Sequence, residues 1–409
     1  MNYFRLIRYG VAFFTMVAAL CWSTFPMATA KTADPTKSYI VILHDQVTNS
    51  DSVAFDLAIG HQLAIGHTYK TALKGFSAEM PASRVNRLQR DARVKAVIED
   101  REVHSMAQTI PTGVRRVDAP TNPNKGSGIG IAVLDTGIDL NHSDLKTNTI
   151  AGTNCVRPRR APQDDNGHGT HVAGTIAAVN NTTGVVGVAP AAKVIAVKVL
   201  GPSGSGSWSQ VICGIDWVTA HATQYNIKVA NMSLGGGGTS DNNCGNTNND
   251  ALHQAICNSV AAGVTYVVAA GNSASNASTS VPAAYNDAVI TVSALADSDG
   301  LPGGFGAATG YGADDTFASF SNFGSPVDIA APGVSIYSTY RSGGYTTLSG
   351  TSMASPHVAG AAALYIKSHP GASWTDVRSG LIGAAEALGA DHTDPSGLHP
   401  EPVLLAGSL

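Results

Sequence analysis

Charged and aromatic side chains are scarce in this sequence of 409 residues. Asp, Glu, Lys and Arg make up 13% of the chain and Phe, Trp and Tyr 6%, whereas hydrophobic residues make up 44%. A disordered chain combines low hydrophobicity with high net charge, so this composition excludes one. An excess of basic charge is also missing, because the formal net charge is −4. We therefore expect no nucleic-acid partner.

The N-terminal segment has the pattern of an export signal. Arg5 and Arg8 precede an apolar run over 11–22, and Ala28-Thr29-Ala30 offers the small residues at which signal peptidases cut. The run is shorter than the roughly 20 residues that span a bilayer, which argues against a stable membrane anchor. We predict a signal peptide over 1–30, cleavage after Ala30, and a secreted, extracellular protein.

Cysteine is rare as well. Four cysteines follow the predicted signal: Cys155, Cys213, Cys244 and Cys257. An even number in an exported protein favours two disulfides, for which three connectivities exist, over buried free thiols. The spacings do not fit a zinc site. Cys244–Cys257 would close a short loop, so we favour that bond and leave Cys155 to pair with Cys213.

Residues 38–104 predict a small α+β unit. Strands and helices alternate in it, at 39–43, 52–67, 73–80, 81–91 and 94–99, the second and fourth of these being helices. A unit of this size is only marginally stable by itself, so we expect it to need a partner.

The remaining sequence predicts an α/β fold. Apolar runs rich in Val, Ile and Ala are typical of strands that are buried on both faces; they lie at 129–134, 194–200, 228–234, 264–270, 288–294 and 327–330. Helical stretches lie between or after them, at 168–179, 209–223, 250–262 and 352–367. This alternation predicts a mainly parallel sheet with helices on both faces. Functional residues of such sheets gather at the carboxyl ends of the strands.

Four residues supply the parts that acyl transfer from a serine requires: a nucleophile, a base, an acid that orients the base, and an oxyanion donor. Ser352 opens a predicted helix, and His168 begins another. Asp135 ends the first buried strand, and Asn272 offers a side-chain amide after a later strand. Each residue alone is more often a helix cap or a turn residue, but together the four predict a catalytic site.

His171 lies three residues after His168 on the same predicted helix. Two histidines at this spacing can form part of a metal site, but the sequence shows no third ligand. We therefore interpret His171 as a packed structural histidine.

Three motifs resemble the catalytic motifs of the subtilisin-type serine proteases, in the chain order Asp, His, Ser of that family. They are Asp135-Thr136-Gly137, His168-Gly169-Thr170-His171 and Gly350-Thr351-Ser352-Met353-Ala354-Ser355-Pro356. The resemblance extends from 107 to about 388. It implies a serine endopeptidase that cleaves protein or peptide substrates through an acyl-enzyme, and we expect a monomer.

The resemblance also implies which residues bind the substrate. Two extended segments would pair with the substrate backbone, as in other β-augmented complexes. They are Ser233, Leu234 and Gly235 on one side and Gly204, Ser205 and Gly206 on the other. Ala269, Ala270 and Gly271 would line the primary pocket. Trp208 would cover a more distant pocket, although an ordinary core aromatic explains it equally well.

The small unit resembles the propeptide of this family, which acts as a folding chaperone and as an intramolecular inhibitor. The family's self-processing implies cleavage between Met106 and Ala107. The expected domains are then a signal peptide (1–30), a propeptide (31–106) and a catalytic domain (107–409).

A structural calcium site is implied by the same resemblance. Its ligands would be side-chain oxygens of Gln108, Asp144 and Asn181 and the carbonyl oxygens of Val179, Thr183 and Val185. All six are oxygen donors, as calcium requires. The alternative is a plain surface loop.

Two segments, 236–249 and 297–315, are longer than in the simplest members of the family.

Two other functions compete with the endopeptidase. An esterase of the α/β-hydrolase type would need Gly-x-Ser-x-Gly and the order Ser, Asp, His, which this sequence lacks. A non-catalytic binding protein on the same fold would usually lack one of the four residues.

Overall fold

The computed structural model describes residues 34–101 and 107–409, which belong to two compact units. The predicted signal peptide, including its cleavage site at Ala30, and Met106 of the predicted processing site lie outside the described residues. Within the described ranges, no helix is long and apolar enough to cross a membrane.

The first unit is a four-stranded antiparallel sheet with two helices. Its elements are β1 (Thr36–Leu43), α1 (Ser50–His61), β2 (Ala64–Tyr69), β3 (Gly75–Pro81), α2 (Ala82–Leu88) and β4 (Val94–Glu99). The strand order is β2-β3-β1-β4. Alternate residues of β1 are buried, so one face of the sheet packs on the helices. Val41 and Phe76 from the sheet and Leu57 and Leu88 from the helices share this core.

Strand β2 corrects the sequence prediction, which assigned a helix over 52–67. Helix α1 ends at His61, and Gln62 adopts a left-handed conformation with φ 53° while its N–H binds the carbonyl oxygen of Ala58. The chain then pairs antiparallel with β3. Antiparallel pairing with the strand that follows outweighs the local helix preference here.

The second unit contains the remaining elements. Its helices are α3 (Thr112–Arg116), α4 (His168–Ala177), α5 (Trp208–His221), α6 (Ala251–Ala261), α7 (Thr351–Ser368) and α8 (Trp374–Ala384). Its strands are β5 (Gly130–Asp135), β6 (Thr149–Asn154), β7 (Lys193–Lys198), β8 (Ile227–Met232), β9 (Gly236–Gly237), β10 (Thr265–Ala269), β11 (Ser280–Val281), β12 (Val289–Ala296), β13 (Thr316–Phe317), β14 (Ile329–Pro332), β15 (Ile336–Tyr340) and β16 (Gly344–Leu348).

An eight-stranded sheet forms the centre of this unit. Its order is β13-β12-β10-β8-β5-β7-β6, with β14 also beside β12, and only β13 runs antiparallel to its neighbour. Along β5, Ile131 and Val133 enter one core with α4, α7 and α8, whereas Ala132 and Leu134 enter the other with α5 and α6. The predicted α/β class, with helices on both faces of a mainly parallel sheet, is therefore confirmed.

Three neighbouring strands end where the chemically active residues lie. In the order β10-β8-β5, Asp135 is the last residue of β5, Ser233 follows β8, and Ala270 follows β10. Parallel strands place their carboxyl ends at one edge, so these positions share that edge.

Two disulfides connect loops to helices. Cys155–Cys213 joins the segment after β6 to α5, and Cys244–Cys257 joins the long segment 236–249 to α6. This is the pairing that was favoured from the sequence.

Candidate active site

Asp135 and His168 form the first part of the site. His168 Nδ1 lies 2.8 Å and 2.9 Å from the two carboxylate oxygens of Asp135. The Asp135 side chain is fully buried, while that of His168 is 25% exposed. Burial disfavours the charged imidazole, but attraction to Asp135 and the hydrogen bond outweigh it, so the pKa of His168 is raised.

Asp164 holds the chain around His168 in place, although the sequence analysis did not identify it. This carboxylate is 5% exposed. It accepts hydrogen bonds from the backbone N–H groups of Asn166, Gly167 and Thr170 and from the hydroxyls of Thr136 and Thr170. These bonds connect the start of α4 to the end of β5, which fixes His168 relative to Asp135.

Ser352 lies in the first turn of α7 and is bound to the end of β8. Its carbonyl oxygen accepts the Ser233 hydroxyl at 2.8 Å, and its own hydroxyl donates to the carbonyl oxygen of Ser233 at 3.3 Å. Asn231 donates to the Ser233 hydroxyl and accepts from that of Ser355, which extends this network. No hydrogen bond joins Ser352 Oγ to His168 Nε2 among the described residues. Catalytic hydrogen bonds commonly tighten only when substrate binds.

The amide of Asn272 is fixed from one side. Its Oδ1 accepts the backbone N–H of Thr351 at 2.8 Å and the Thr351 hydroxyl at 2.9 Å. The same hydroxyl accepts the N–H of Gly271 at 3.1 Å. Both contacts to Thr351 use the oxygen of the amide, which leaves Nδ2 as its donor.

Two adjoining pockets form a cleft at the same edge of the sheet. The larger has a volume of about 660 Å³ and is lined by His168, by 204–206 and by Trp208. The other, of about 460 Å³, is lined by Ser352, Asn272 and 269–271. Leu234, Gly235 and Gly236 line both pockets. The structure thus brings the predicted substrate-binding residues to one cleft.

His171 is buried in the core of this unit. Its Nε2 lies 2.9 Å from the carbonyl oxygen of Ile336, and burial lowers its pKa to about 4. A neutral, packed imidazole agrees with the structural interpretation.

The six predicted calcium ligands also lie close together. Gln108 Nε2 donates to the carbonyl oxygens of Val179 at 2.7 Å and Val185 at 3.0 Å. Asn181 Nδ2 donates to the buried carboxylate of Asp144 at 3.2 Å, and the Thr183 N–H donates to Asn181 Oδ1. Two amide nitrogens thus donate to three oxygens of the proposed ligand set, while the amide oxygens accept the N–H groups of Asn181 and Thr183. The Val179 and Val185 carbonyls and the Asp144 carboxylate already face positively polarised groups, so these oxygens fit an oxygen-coordinated cation.

Comparisons with known proteins agree with this geometry. Residues 126–397 match the subtilase family, and residues 28–106 match the peptidase inhibitor I9 family. The chain is 41% identical over 359 residues to an alkaline protease of Shouchella clausii, covering 87% of this chain and 85% of that one. It is 37% identical over 384 residues to subtilisin E of Bacillus subtilis, covering 92% of each.

A solved structure shows the same fold. It is described as the crystal structure of a cold adapted subtilisin-like serine proteinase, and it matches with a TM-score of 0.59 and 35% identity over 72% of this chain and 97% of that chain. Family, fold and site therefore agree: the chain belongs to the subtilase family and is a serine endopeptidase with an inhibitor-type propeptide.

Proposed function

We propose that this endopeptidase uses Ser352 as nucleophile, His168 as general base and then general acid, and Asp135 to orient His168. The observation that carries the proposal is the pair of contacts between Asp135 and His168 Nδ1, beside a cleft that Ser352 lines. These contacts hold a proton on Nδ1, so Nε2 can accept the proton of the serine hydroxyl.

The reaction then proceeds through two acyl transfers. Ser352 Oγ bonds to the scissile carbonyl carbon as its proton passes to His168, and the carbonyl oxygen becomes an oxyanion. Asn272 Nδ2 and the backbone N–H of Ser352 donate to that oxyanion. His168 returns the proton to the leaving amine as the C–N bond breaks. Water, activated by His168, hydrolyses the acyl-enzyme and restores the serine.

The cleft favours an extended peptide substrate. Segments 204–206 and 233–235 would pair with its backbone, while 269–271 would surround the side chain next to the scissile bond. Trp208 packs near Gly236 and lines the larger pocket, which supports its assignment to a more distant subsite. We expect the mature enzyme to act as a monomer, which sedimentation equilibrium would test.

Maturation follows from the same chemistry. We propose that the protein is secreted after loss of 1–30, that it cuts its own chain between Met106 and Ala107, and that the released propeptide (31–106) inhibits it until degraded. The catalytic domain is then 107–409. The match of 28–106 to an inhibitor family supports this sequence of events.

The test is the Ser352→Ala variant, produced in a protease-free host. Mass spectrometry should find residues 31–106 still attached, because no nucleophile is present. The matched control is Ser349→Ala, which removes an exposed serine three residues away and should be processed normally. An amino terminus at Ala107 in the Ser352→Ala protein would show that another enzyme makes the cut.

We also propose that Gln108, Asp144, Asn181, Val179, Thr183 and Val185 hold a structural calcium ion. The hydrogen bonds that the Gln108 and Asn181 amides donate to the oxygens of Val179, Val185 and Asp144 support this site. Calcium would supply positive charge that links the segment after the processing site to the 179–185 loop. The ion lies outside the proposed chemistry, so its contribution is to stability.

A further inference from the structure

The long segment 297–315 brings three carboxylates together. One oxygen each from Asp297, Asp299 and Asp314 lie within 4.8 Å of one another. Asp297 is 1% exposed and Asp314 is 5% exposed, while Asp299 is partly exposed. Like charges this close in a largely buried position repel one another strongly.

Within the described residues, one buried oxygen of Asp297 has no hydrogen-bond partner. Its Oδ1 accepts the N–H of Gly300 at 2.8 Å. Its Oδ2 is buried and, within the part of the chain that the structure describes, makes no hydrogen bond. A buried carboxylate oxygen without a donor is costly, so this atom independently points to an absent ligand.

Backbone N–H groups of the segment orient the carboxylates of Asp299 and Asp314 but leave lone pairs of their oxygens free to bind a ligand. Asp314 accepts the N–H groups of Ser298 and Gly306, each at 2.7 Å, and Asp299 Oδ1 accepts that of Leu301 at 2.8 Å. Each of these oxygens keeps a second lone pair. A Cβ atom on Gly306 would lie 2.7 Å from Asp314 Oδ2, so the chain approaches the carboxylate closely.

Over residues 34–101 and 107–409, no positively charged side chain forms an ion pair with Asp297, Asp299 or Asp314. The buried guanidinium of Arg116 contributes favourable charge to Asp297 but pairs directly with Asp315 at 2.7 Å and Glu386 at 3.0 Å.

We propose that Asp297, Asp299 and Asp314 bind a calcium ion, distinct from the one assigned to the 179–185 loop. The donors are all oxygens, which suits a hard cation and not zinc. Calcium accepts six to eight oxygen ligands in flexible geometry, so water and carbonyl oxygens complete its shell. The ion supplies the missing partner of Asp297 and cancels most of the repulsion.

The test counts calcium ions bound per chain by equilibrium dialysis. All proteins carry Ser352→Ala so that self-digestion does not interfere. Asp297→Asn and Asp299→Asn should each bind about one ion fewer than this parent. Asp391→Asn is the matched control, because Asp391 is exposed and its carbonyl oxygen accepts the N–H of Gly303. It should bind as many ions as the parent.

Combining variants separates the two sites. Asp144→Asn alone should remove a different ion, and Asp144→Asn with Asp299→Asn should remove both. Equal counts for the parent, Asp297→Asn and Asp299→Asn would overturn the proposal, as would an equal loss in Asp391→Asn. Asp299 is partly exposed and accepts one backbone hydrogen bond, so its variant tests the site if Asp297→Asn does not fold. Displacement of this ion by equimolar magnesium would contradict the choice of calcium.

Discussion

Replacing Asn272 by leucine removes the donor proposed for the oxyanion and keeps a side chain of similar size. The carbonyl side of the amide is held by two hydrogen bonds from Thr351, at 2.8 Å and 2.9 Å, so Nδ2 is oriented before the substrate arrives. Such a donor stabilises charge that exists only after attack by Ser352. Its loss should therefore raise the barrier of the chemical step and leave ground-state binding almost unchanged.

The expected fall in kcat depends on which hydrogen bond each substitution removes. Removing one oxyanion donor costs about 2.7–4 kcal/mol, or about 10²–10³ in kcat, which is the effect measured for the corresponding residue of subtilisin. Thr351→Val affects the oxyanion donor indirectly, because it removes one of the two hydrogen bonds that orient the Asn272 amide. A neutral hydrogen bond contributes about 0.5–1.5 kcal/mol, so kcat should fall about threefold to tenfold.

The assay is steady-state hydrolysis of a small chromogenic peptide by the mature enzymes. Asn272→Leu should lower kcat with little change in KM, and Thr351→Val should show a smaller fall in kcat. Thr351→Ser is the control, since it keeps the hydroxyl. A loss confined to KM for Asn272→Leu, or a larger loss for Thr351→Val than for Asn272→Leu, would refute the reasoning.

Three further predictions concern pH, calcium and the disulfides. Attraction to Asp135 overcomes the opposing effect of burial and raises the pKa of His168; because the base must be neutral, kcat/KM should fall as pH drops through that raised pKa. Asp135→Asn should move this acid limb to lower pH and reduce kcat by about 10⁴, and an unmoved limb would contradict the pairing. Chelation should shorten the thermal inactivation half-life while the initial rate persists, since saturation at 100 times Kd contributes about 2.7 kcal/mol. Asp144→Asn should show the short half-life even with calcium. Equal half-lives for the wild type and Asp144→Asn, each measured with calcium and with chelator, would exclude the site. Replacing Cys244 and Cys257 by serine should lower the free energy of unfolding by about 2–4 kcal/mol in urea titrations, and unchanged stability would count against a stabilising role.

The central sheet could be predicted because its signal is local. Strand β5 is buried along its whole length, so a continuous apolar run in the sequence predicts it. The alternation of strands and helices then predicts a parallel arrangement. The carboxyl ends of such strands share an edge, which is why Asp135 and Ser233 could be associated without a structure.

Other features depend on the path of the chain and have no local pattern. Asp164 matters because three backbone N–H groups converge on it, and the sequence contains nothing that distinguishes it from any polar loop residue. Strand β2 has mixed burial, so only its pairing with β3 defines it. Asp297 and Asp314 are separated by a glycine-rich loop, and only folding brings their oxygens together.

The wall of Leu234, Gly235 and Gly236 that both pockets share makes their selectivities interdependent. A Cβ atom at Gly236 would lie 2.8 Å from the Trp208 ring, so even alanine there would displace the indole. A substitution in this wall therefore reshapes two subsites at once, and its effect will not add to that of a change at Trp208. Engineering of substrate preference should vary these positions jointly, because libraries that change one pocket at a time would miss the compatible pairs.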